Sequence, residues 1–301
     1  MCGIAGILPF DGLFDKKKLN EMVSSIAHRG PDQKNIFKNK LGIFGFLRLK
    51  IIDLSNKSNQ PLMSKDKNIQ VIYNGEIYNY KTLKTKYFPR VNFFSDGDGE
   101  IIIHLYEKFG ISFLEKIKGM YSICIIDKKK NKVFLIRDRF GIKPLYFKKK
   151  NQKIYFSSEI KGLAEKKGEN INSKEVYKFF KQGLVNSTAE TWFKDIYQVK
   201  PSHFLEICDG KILEKKYYKI ENFIDESLDN KKNSFKYFID EFKRRMLQSF
   251  EEHNYFDVVA GVHLSGGIDS AVLAALMNYH KKKFKSFTFD FEDKKYSEIK
   301  F

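Results

Sequence analysis

The second residue of the chain is a cysteine followed by glycine, in Met1-Cys2-Gly3-Ile4-Ala5-Gly6-Ile7. Initiator methionine is removed ahead of a small side chain, which would leave Cys2 with a free α-amine. An α-amine has an unperturbed pKa of about 7.7–8.0, so a usable share is an unprotonated base at neutral pH. The thiol beside it is easier to activate than a hydroxyl, and nucleophile and general base then come from one residue. A second chemical segment lies near the other end, Leu264-Ser265-Gly266-Gly267-Ile268-Asp269-Ser270. It follows an apolar run and opens a helical pattern, where backbone N–H groups and the helix dipole favour an anion. The two glycines let the chain approach phosphate oxygens, Ser265 and Ser270 add hydroxyl donors, and Asp269 is the candidate for a magnesium ion.

Other reactive side chains point to nothing further. Cys124 and Cys208 complete an odd set with no CxxC spacing, against both a disulfide framework and structural zinc. Cys124 sits in an apolar run and reads as an inert core residue. His28, His104 and His263 have no metal-ligand spacing. Asp96-Gly97-Asp98-Gly99-Glu100 imitates the start of a calcium loop, but Ile101 occupies the position where such a loop needs glycine.

The elements that must hold these residues belong to a globular chain of 301 residues, 42% hydrophobic and 31% charged, long enough for about two domains. No run approaches the roughly 18 apolar residues of a membrane helix, and Asp11 interrupts the apolar start, so a cytoplasmic protein without a membrane partner is expected. The net charge of +18 comes from 48 lysines and only 7 arginines spread along the chain. That distribution reads as a solvated lysine-rich surface rather than a dedicated nucleic-acid face, because base readout leans on localised arginine. Strands are expected at Leu41–Phe46, Ile69–Tyr73, Tyr121–Asp127, Lys132–Ile136 and Lys153–Phe156, from their β-branched and aromatic content. Helical periodicity marks Lys16–Ala27, Glu100–Phe109 and Lys174–Gly183. Strands that outnumber helices without alternating with them imply an α+β fold of layered antiparallel sheets with helices outside. Polar residues 219–234 read as a linker between a domain at 2–218 and a second at 235–301. The second begins with a helix at Phe235–Phe250 and continues as a strand at Asp257–Leu264, a helix at Asp269–His280 and a strand at Lys285–Phe291. One βαβ unit is less than a domain, since parallel strands are covered on both faces. The second domain is therefore expected to be incomplete. Val258, Val259, Val262, Leu273, Leu276 and Phe287 are expected to form an uncovered apolar surface that demands a partner.

Five segments in order carry a resemblance: Met1-Cys2-Gly3-Ile4-Ala5-Gly6-Ile7; His28-Arg29-Gly30-Pro31-Asp32; Arg48-Leu49-Lys50-Ile51-Ile52-Asp53; Tyr73-Asn74-Gly75-Glu76-Ile77-Tyr78-Asn79; and Arg137-Asp138-Arg139-Phe140-Gly141-Ile142-Lys143-Pro144-Leu145-Tyr146. Together they resemble the glutamine amidotransferase domain of the N-terminal-nucleophile class, and more closely the glutamine-hydrolysing asparagine synthetases. The resemblance implies an αββα sandwich in which Cys2 attacks the side-chain amide of glutamine. A carboxylate needs a bidentate guanidinium, and Arg48 matches the family residue with that task, followed by Leu49, Lys50, Ile51 and Ile52 along the glutamine. Asp98 and Glu76 match the anions for the ammonium, and Asn74 and Gly75 match the oxyanion hole. Read from spacing alone, Asn74-Gly75 is equally a hairpin-turn signal, and Arg48 an ordinary strand-edge ion pair.

The Ser265–Ser270 loop is similar to the pyrophosphate loop of ATP pyrophosphatases, with Leu264 and Phe289 at positions that flank adenine. The resemblance implies that ATP and magnesium adenylate aspartate and that ammonia from glutamine displaces AMP. Asp290 stands where the family usually has glycine, Lys50 and His263 differ mildly from common residues, and the aspartate-binding residues would lie beyond Phe301. Glutaminase activity without complete synthetase chemistry is therefore expected of this chain alone, with a homodimer or a separate chain completing the second domain. Two other readings stay open, an amidotransferase for another carboxylate and a non-catalytic regulatory module. The joint presence of Cys2, Arg48, Asn74, Gly75 and Asp98 argues against the last.

Overall fold

The computed structural model describes residues 1–165, 171–185, 188–224, 235–293, 295 and 297–299. The chain divides into two compact units, Met1–Ile224 and Asp225–Phe301. Of the stretch expected to be a linker, Ile220–Phe223 forms a short 3-10 turn, and 225–234 lie outside the described residues.

The first unit contains twelve strands among its described residues: β1 (Gly3–Pro9), β2 (Gln33–Asn39), β3 (Gly42–Arg48), β4 (Leu62–Met63), β5 (Ile69–Ile77), β6 (Gly119–Asp127), β7 (Lys132–Arg137), β8 (Tyr146–Lys150), β9 (Lys153–Ser157), β10 (Tyr197–Gln198), β11 (His203–Cys208) and β12 (Lys211–Lys216). They form two six-stranded antiparallel sheets, ordered β10-β8-β9-β1-β3-β2 and β12-β11-β7-β6-β5-β4. Helix α1 (Lys16–Ser25) covers the first sheet, burying Leu19, Met22 and Val23, joined by Ile26 just past its end, in one cluster with Ala5, Ile7, Ile43 and Leu47. Asp15 caps it by accepting from Lys18 N at 2.7 Å. Helices α2 (Tyr80–Tyr87) and α3 (Glu100–Phe109) cover the second sheet. Between the sheets lies a third apolar layer, with Ile4, Phe44, Phe46, Ile72, Cys124, Ile126 and Phe156 all fully buried. The result is the αββα sandwich, with strand alternation feeding two different cores at once. Helix α4 (Ser173–Gln182) ends where Gly183 takes a left-handed φ of 67°, a conformation glycine adopts without a Cβ penalty.

Strand β1 has no clear strand signature, because its two glycines weaken the pattern. The glycine is required by packing: a Cβ on Gly6 would lie 2.3 Å from Cε1 of Phe156. The Asn74-Gly75 pair is not a hairpin turn. It lies inside β5, with Asn74 opposite Ser122 and Gly75 opposite Tyr121 in a nine-residue register with β6.

The second unit starts with α5 (Phe235–His253), followed by β13 (Ala260–His263), α6 (Ile268–Tyr279) and β14 (Phe284–Phe287). The two strands pair in parallel, as a βαβ crossover requires. Both are shorter than their apolar runs because only four residues of each find a partner. The unit has a small core of Phe250, Val262 and Met277, with Leu276 packed against it. Val262 and Leu276 therefore leave the expected uncovered surface, whereas Val258, Val259, Leu273 and Phe287 are exposed. Phe238 and Phe242 of α5 are exposed as well, and only Phe250 at its far end is buried. Among the described residues no helix is long and apolar enough to cross a membrane.

Candidate active site

Cys2 stands immediately ahead of β1, an interior strand bonded to β3 on one side and β9 on the other. The register Gly3–Leu47 brings the end of β3 alongside it. Leu49 N–H donates to Cys2 Sγ at 3.4 Å, and Arg29 Nε donates to the Cys2 carbonyl at 2.8 Å. Arg29 is buried and bonded to Glu159 at 2.8 Å. Burial pushes the Cys2 thiol up, although the bond from Leu49 and the positive charges of the N-terminus and Arg48 pull the other way. A thiol so placed stays protonated at neutral pH until a base removes the proton.

Arg48, the last residue of β3, is buried. Its NH1 donates to Ser55 O at 2.8 Å and Asn59 Oδ1 at 2.7 Å, and its NH2 donates to Ile52 O and Asp53 O. The strand-edge ion pair is thus replaced by a cage of neutral oxygens from loop 52–59, which fixes the guanidinium without cancelling its charge. A substrate carboxylate at this wall would meet that charge in a low-dielectric setting. Asp53 braces the loop, accepting from Ser55 N at 3.0 Å and Ser58 Oγ at 2.6 Å.

On the second sheet, Asn74 is buried and its Nδ2 has no partner among the described residues. Buried donors are nearly always satisfied, so this amide fits an acceptor supplied by a ligand. Ser122 Oγ, directly across the ladder, is likewise buried and unpartnered among the described residues. Gly75 allows the backbone approach that its family position implies: a Cβ would stand 2.1 Å from Met120 O and 2.6 Å from Tyr121 Cα. No side chain fits there.

Asp98 lies in the turn before α3 and is buried. Its carboxylate accepts from Tyr73 OH at 2.5 Å and from Ile77 N at 2.7 Å. Burial raises its pKa and these two donors lower it, with a net rise. Glu76 is raised by burial and then by Asp98, with Lys143 acting in the opposite sense. The neighbouring Glu100 turns away to accept from Phe94 N and Ser95 N at 2.8 and 2.7 Å. Within this Asp-Gly-Asp-Gly-Glu segment the Asp98 and Glu100 carboxylates thus serve separate protein donors. Among the described residues no group of three or more His, Cys, Asp or Glu is placed to hold a metal ion.

One cavity is lined by Cys2, Arg48, Leu49, Ile51 and Ile52 from the first sheet and its loop, and by Asn74, Gly75, Glu76 and Asp98 from the second. Lys50 is not part of its wall. Its backbone N–H donates to Asp32 at 2.7 Å and its ammonium reaches Asn56 at 3.4 Å. The cavity is also lined by Gln60, which lies outside all five segments, and by Tyr73 and Lys143, which lie within two of them but had no role assigned. Gln60 clamps the backbone of Tyr73, accepting from its N–H at 2.7 Å and donating to its carbonyl at 3.2 Å. No local pattern announces Gln60, since it reaches β5 from a loop. Cys124, by contrast, lies fully buried between the sheets with its pKa driven well up by burial.

In the second unit, Leu264, Ser265, Gly266 and Gly267 join β13 to α6, and Leu264 N donates to Phe287 O at 2.8 Å. Ser265 N donates to Ser270 Oγ at 3.1 Å, and the two serine hydroxyls lie 3.0 Å apart. Gly266 N–H donates to the Glu298 carboxylate at 3.2 Å, so a carboxylate oxygen already stands where the loop would receive an anion. His263 stacks on the exposed Phe289 ring with centroids 5.8 Å apart. Asp269 is exposed in the first turn of α6.

The glutamine amidotransferase domain family matches residues 1–218, and the asparagine synthase family matches residues 241–301. A putative glutamine-hydrolysing asparagine synthetase of Methanocaldococcus jannaschii is 35% identical over 98% of this chain and 60% of its own length. A glutamine-hydrolysing asparagine synthetase of Bacillus subtilis is 36% identical over 99% of this chain and 42% of its own. The chain thus spans about half the length of these curated relatives. Among solved structures, the glutamine phosphoribosylpyrophosphate amidotransferase of B. subtilis superposes on 72% of this chain and 49% of its own, with a TM-score of 0.53 at 19% identity. That likeness concerns the fold alone, the layered sandwich of the N-terminal-nucleophile amidotransferases. Cys2 at the head of β1, the unpartnered Asn74 amide facing the same cavity and the match over residues 1–218 agree: the chain belongs to the glutamine amidotransferase domain family and carries an asparagine synthase segment behind it.

Proposed function

We propose that this protein hydrolyses glutamine at Cys2 and delivers the ammonia to an ATP-activated aspartate, as a glutamine-hydrolysing asparagine synthetase. The observation that carries the reading is the convergence of Cys2, Arg48, Asn74, Gly75, Glu76 and Asp98 on one cavity from two sheets. Arg48 takes the α-carboxylate of glutamine, and Asp98 with Glu76 takes the α-ammonium. Removal of Met1 frees the Cys2 amine, which accepts the thiol proton as Sγ bonds to the amide carbon. The carbonyl oxygen becomes an oxyanion held by Asn74 Nδ2 and the Gly75 N–H. The amine then protonates the leaving nitrogen, ammonia departs, and water cleaves the thioester to give glutamate and the free thiol.

In the second unit, the Ser265–Ser270 loop is the reading's place for the β- and γ-phosphates of ATP, with Leu264 and Phe289 against the base. Gly266 N–H, which holds a carboxylate here, is the donor best suited to a phosphate oxygen. Asp269 would contribute one carboxylate oxygen to a magnesium ion carried with the nucleotide. ATP and magnesium supply the activation of the aspartate carboxylate, and the Ser-Gly-Gly loop orients the pyrophosphate that leaves. Synthesis by the whole protein, a cytoplasmic location and any partner subunit belong to this reading.

The test is glutamate release from glutamine in the absence of ATP. Cys2→Ala should abolish it and Cys124→Ala should leave it. Loss of activity in Cys124→Ala with retention in Cys2→Ala would refute the assignment.

A further inference from the structure

The contact between Tyr73 and Asp98 has no counterpart in the chemistry assigned so far. Strand alternation sends Tyr73 to the helical side of the second sheet, away from its neighbour Asn74, and its ring packs in the core with Ile101, Ile102 and Leu105 of α3. The phenol nevertheless reaches the cavity, because Asp98 comes down onto the sheet from the turn preceding α3. Tyr73 OH donates to Asp98 Oδ1 at 2.5 Å while Ile77 N–H donates to Oδ2 at 2.7 Å, so each carboxylate oxygen carries one strand-borne donor. The phenol is itself fixed. Gln60 bonds both backbone groups of Tyr73, and Gly99 leaves room for the ring, since a Cβ there would lie 2.3 Å from Tyr73 Cε1.

We infer that Tyr73 is a positioning residue for the ammonium subsite, orienting the Asp98 carboxylate toward the α-ammonium of glutamine. The inference rests on the glutaminase reading and deepens it. Asp98 also needs its charge to bind a cation, and burial works against that charge. The groups facing it are Tyr73 and Glu76 from β5, Lys84 from α2 and Cys2 ahead of β1. Glu76 and the thiol disfavour a second negative charge, Lys84 favours it, and its ammonium is already held by Ser95 O and Gly97 O at 3.4 and 3.3 Å. The phenol is the one side-chain hydroxyl donating to Asp98 among the contacts of the described residues. Its removal would let the carboxyl bind a proton at higher pH and lose the ammonium.

The test is Tyr73→Phe in the full chain, assayed for glutamate release across pH. Loss of a hydrogen bond to a charged group should raise KM for glutamine about 10- to 100-fold. The reading expects kcat to stay within about threefold and the acidic limb of kcat/KM to move to higher pH. Inhibition by the product glutamate should weaken by a similar factor, while inhibition by glutarate, which lacks the ammonium, should not change. A general structural defect would weaken both inhibitors. Site-specific 3-fluorotyrosine at position 73 keeps the packing and makes a stronger donor, so it should move the acidic limb the opposite way and covers the case in which Tyr73→Phe fails to fold. Wild-type KM and an unmoved pH profile in both variants would overturn the inference. A wild-type chain that releases no glutamate would instead overturn the glutaminase reading.

Discussion

Asn74→Ala separates stability from catalysis at this site. In the free protein the Asn74 amide nitrogen is buried without a partner among the described residues. An unsatisfied buried donor costs about 1–3 kcal/mol, so deleting it recovers free energy. The truncation leaves a small cavity between the sheets, and lost packing on that scale costs a similar amount. The two contributions oppose each other, and the melting temperature should stay near wild type. The transition state loses much more. If Nδ2 meets the oxyanion, its removal should lower kcat by about 100- to 1,000-fold, equivalent to about 2.7–4 kcal/mol. KM should change little, so kcat and kcat/KM should fall together, as for an interaction made only in the transition state. Steady-state glutamate release and a thermal melt on the same preparation measure both quantities. A kcat within about threefold of wild type would remove Asn74 from the oxyanion hole. A large fall in melting temperature would refute the claim that its amide is unpaired in the free protein.

Two further expectations address the walls of the cavity. Arg48→Lys keeps the charge, but a lysine cannot span Ser55, Asn59 and the 52–53 carbonyls as the guanidinium does; KM for glutamine should rise at least about tenfold, with faster proteolysis within loop 52–59 as an independent readout. Burial alone would raise the Glu100 carboxyl, but bonds from His104, Phe94 N, Ser95 N and Ser95 Oγ pull it down to about 2 from an ordinary 4.5. A depressed carboxylate stabilises the fold above its unfolded pKa, and that stability is lost as pH falls from about 4.5 toward 2. With the Glu100 side chain 13% exposed, the loss should approach about 3 kcal/mol. Glu100→Gln should flatten the acid side of the melting curve, and an unchanged slope would contradict the bonding seen at the turn before α3.

The reactive residues of this chain are legible in its sequence because their chemistry is local. A cysteine next to the initiator methionine, a serine-glycine-glycine turn between a strand and a helix, and five motifs in fixed order each involve neighbours along the chain. The α+β class is legible for the same reason, since strands such as Gly119–Asp127 carry β-branched and aromatic residues throughout. What the chain alone leaves undecided involves residues far apart in sequence. Asn74-Gly75 reads as a turn until β6 lies against it, and then Met120 and Tyr121 show that glycine is needed for close approach. Arg48 reads as a surface ion-pair partner until loop 52–59 folds back and encloses it in neutral oxygens. Lys50 lies within a binding motif but leaves the cavity because Asp32 holds its backbone outward. Tyr73 and Asp98 are 25 residues apart, and strand alternation would separate Tyr73 from the site. Only the descent of the turn before α3 onto β5 joins them, and Gln60 completes the arrangement from a third segment. Side-chain identity fixes which chemistry is available, whereas sheet pairing and loop return decide which groups share a low-dielectric cavity, and there the charge of each depends on the others.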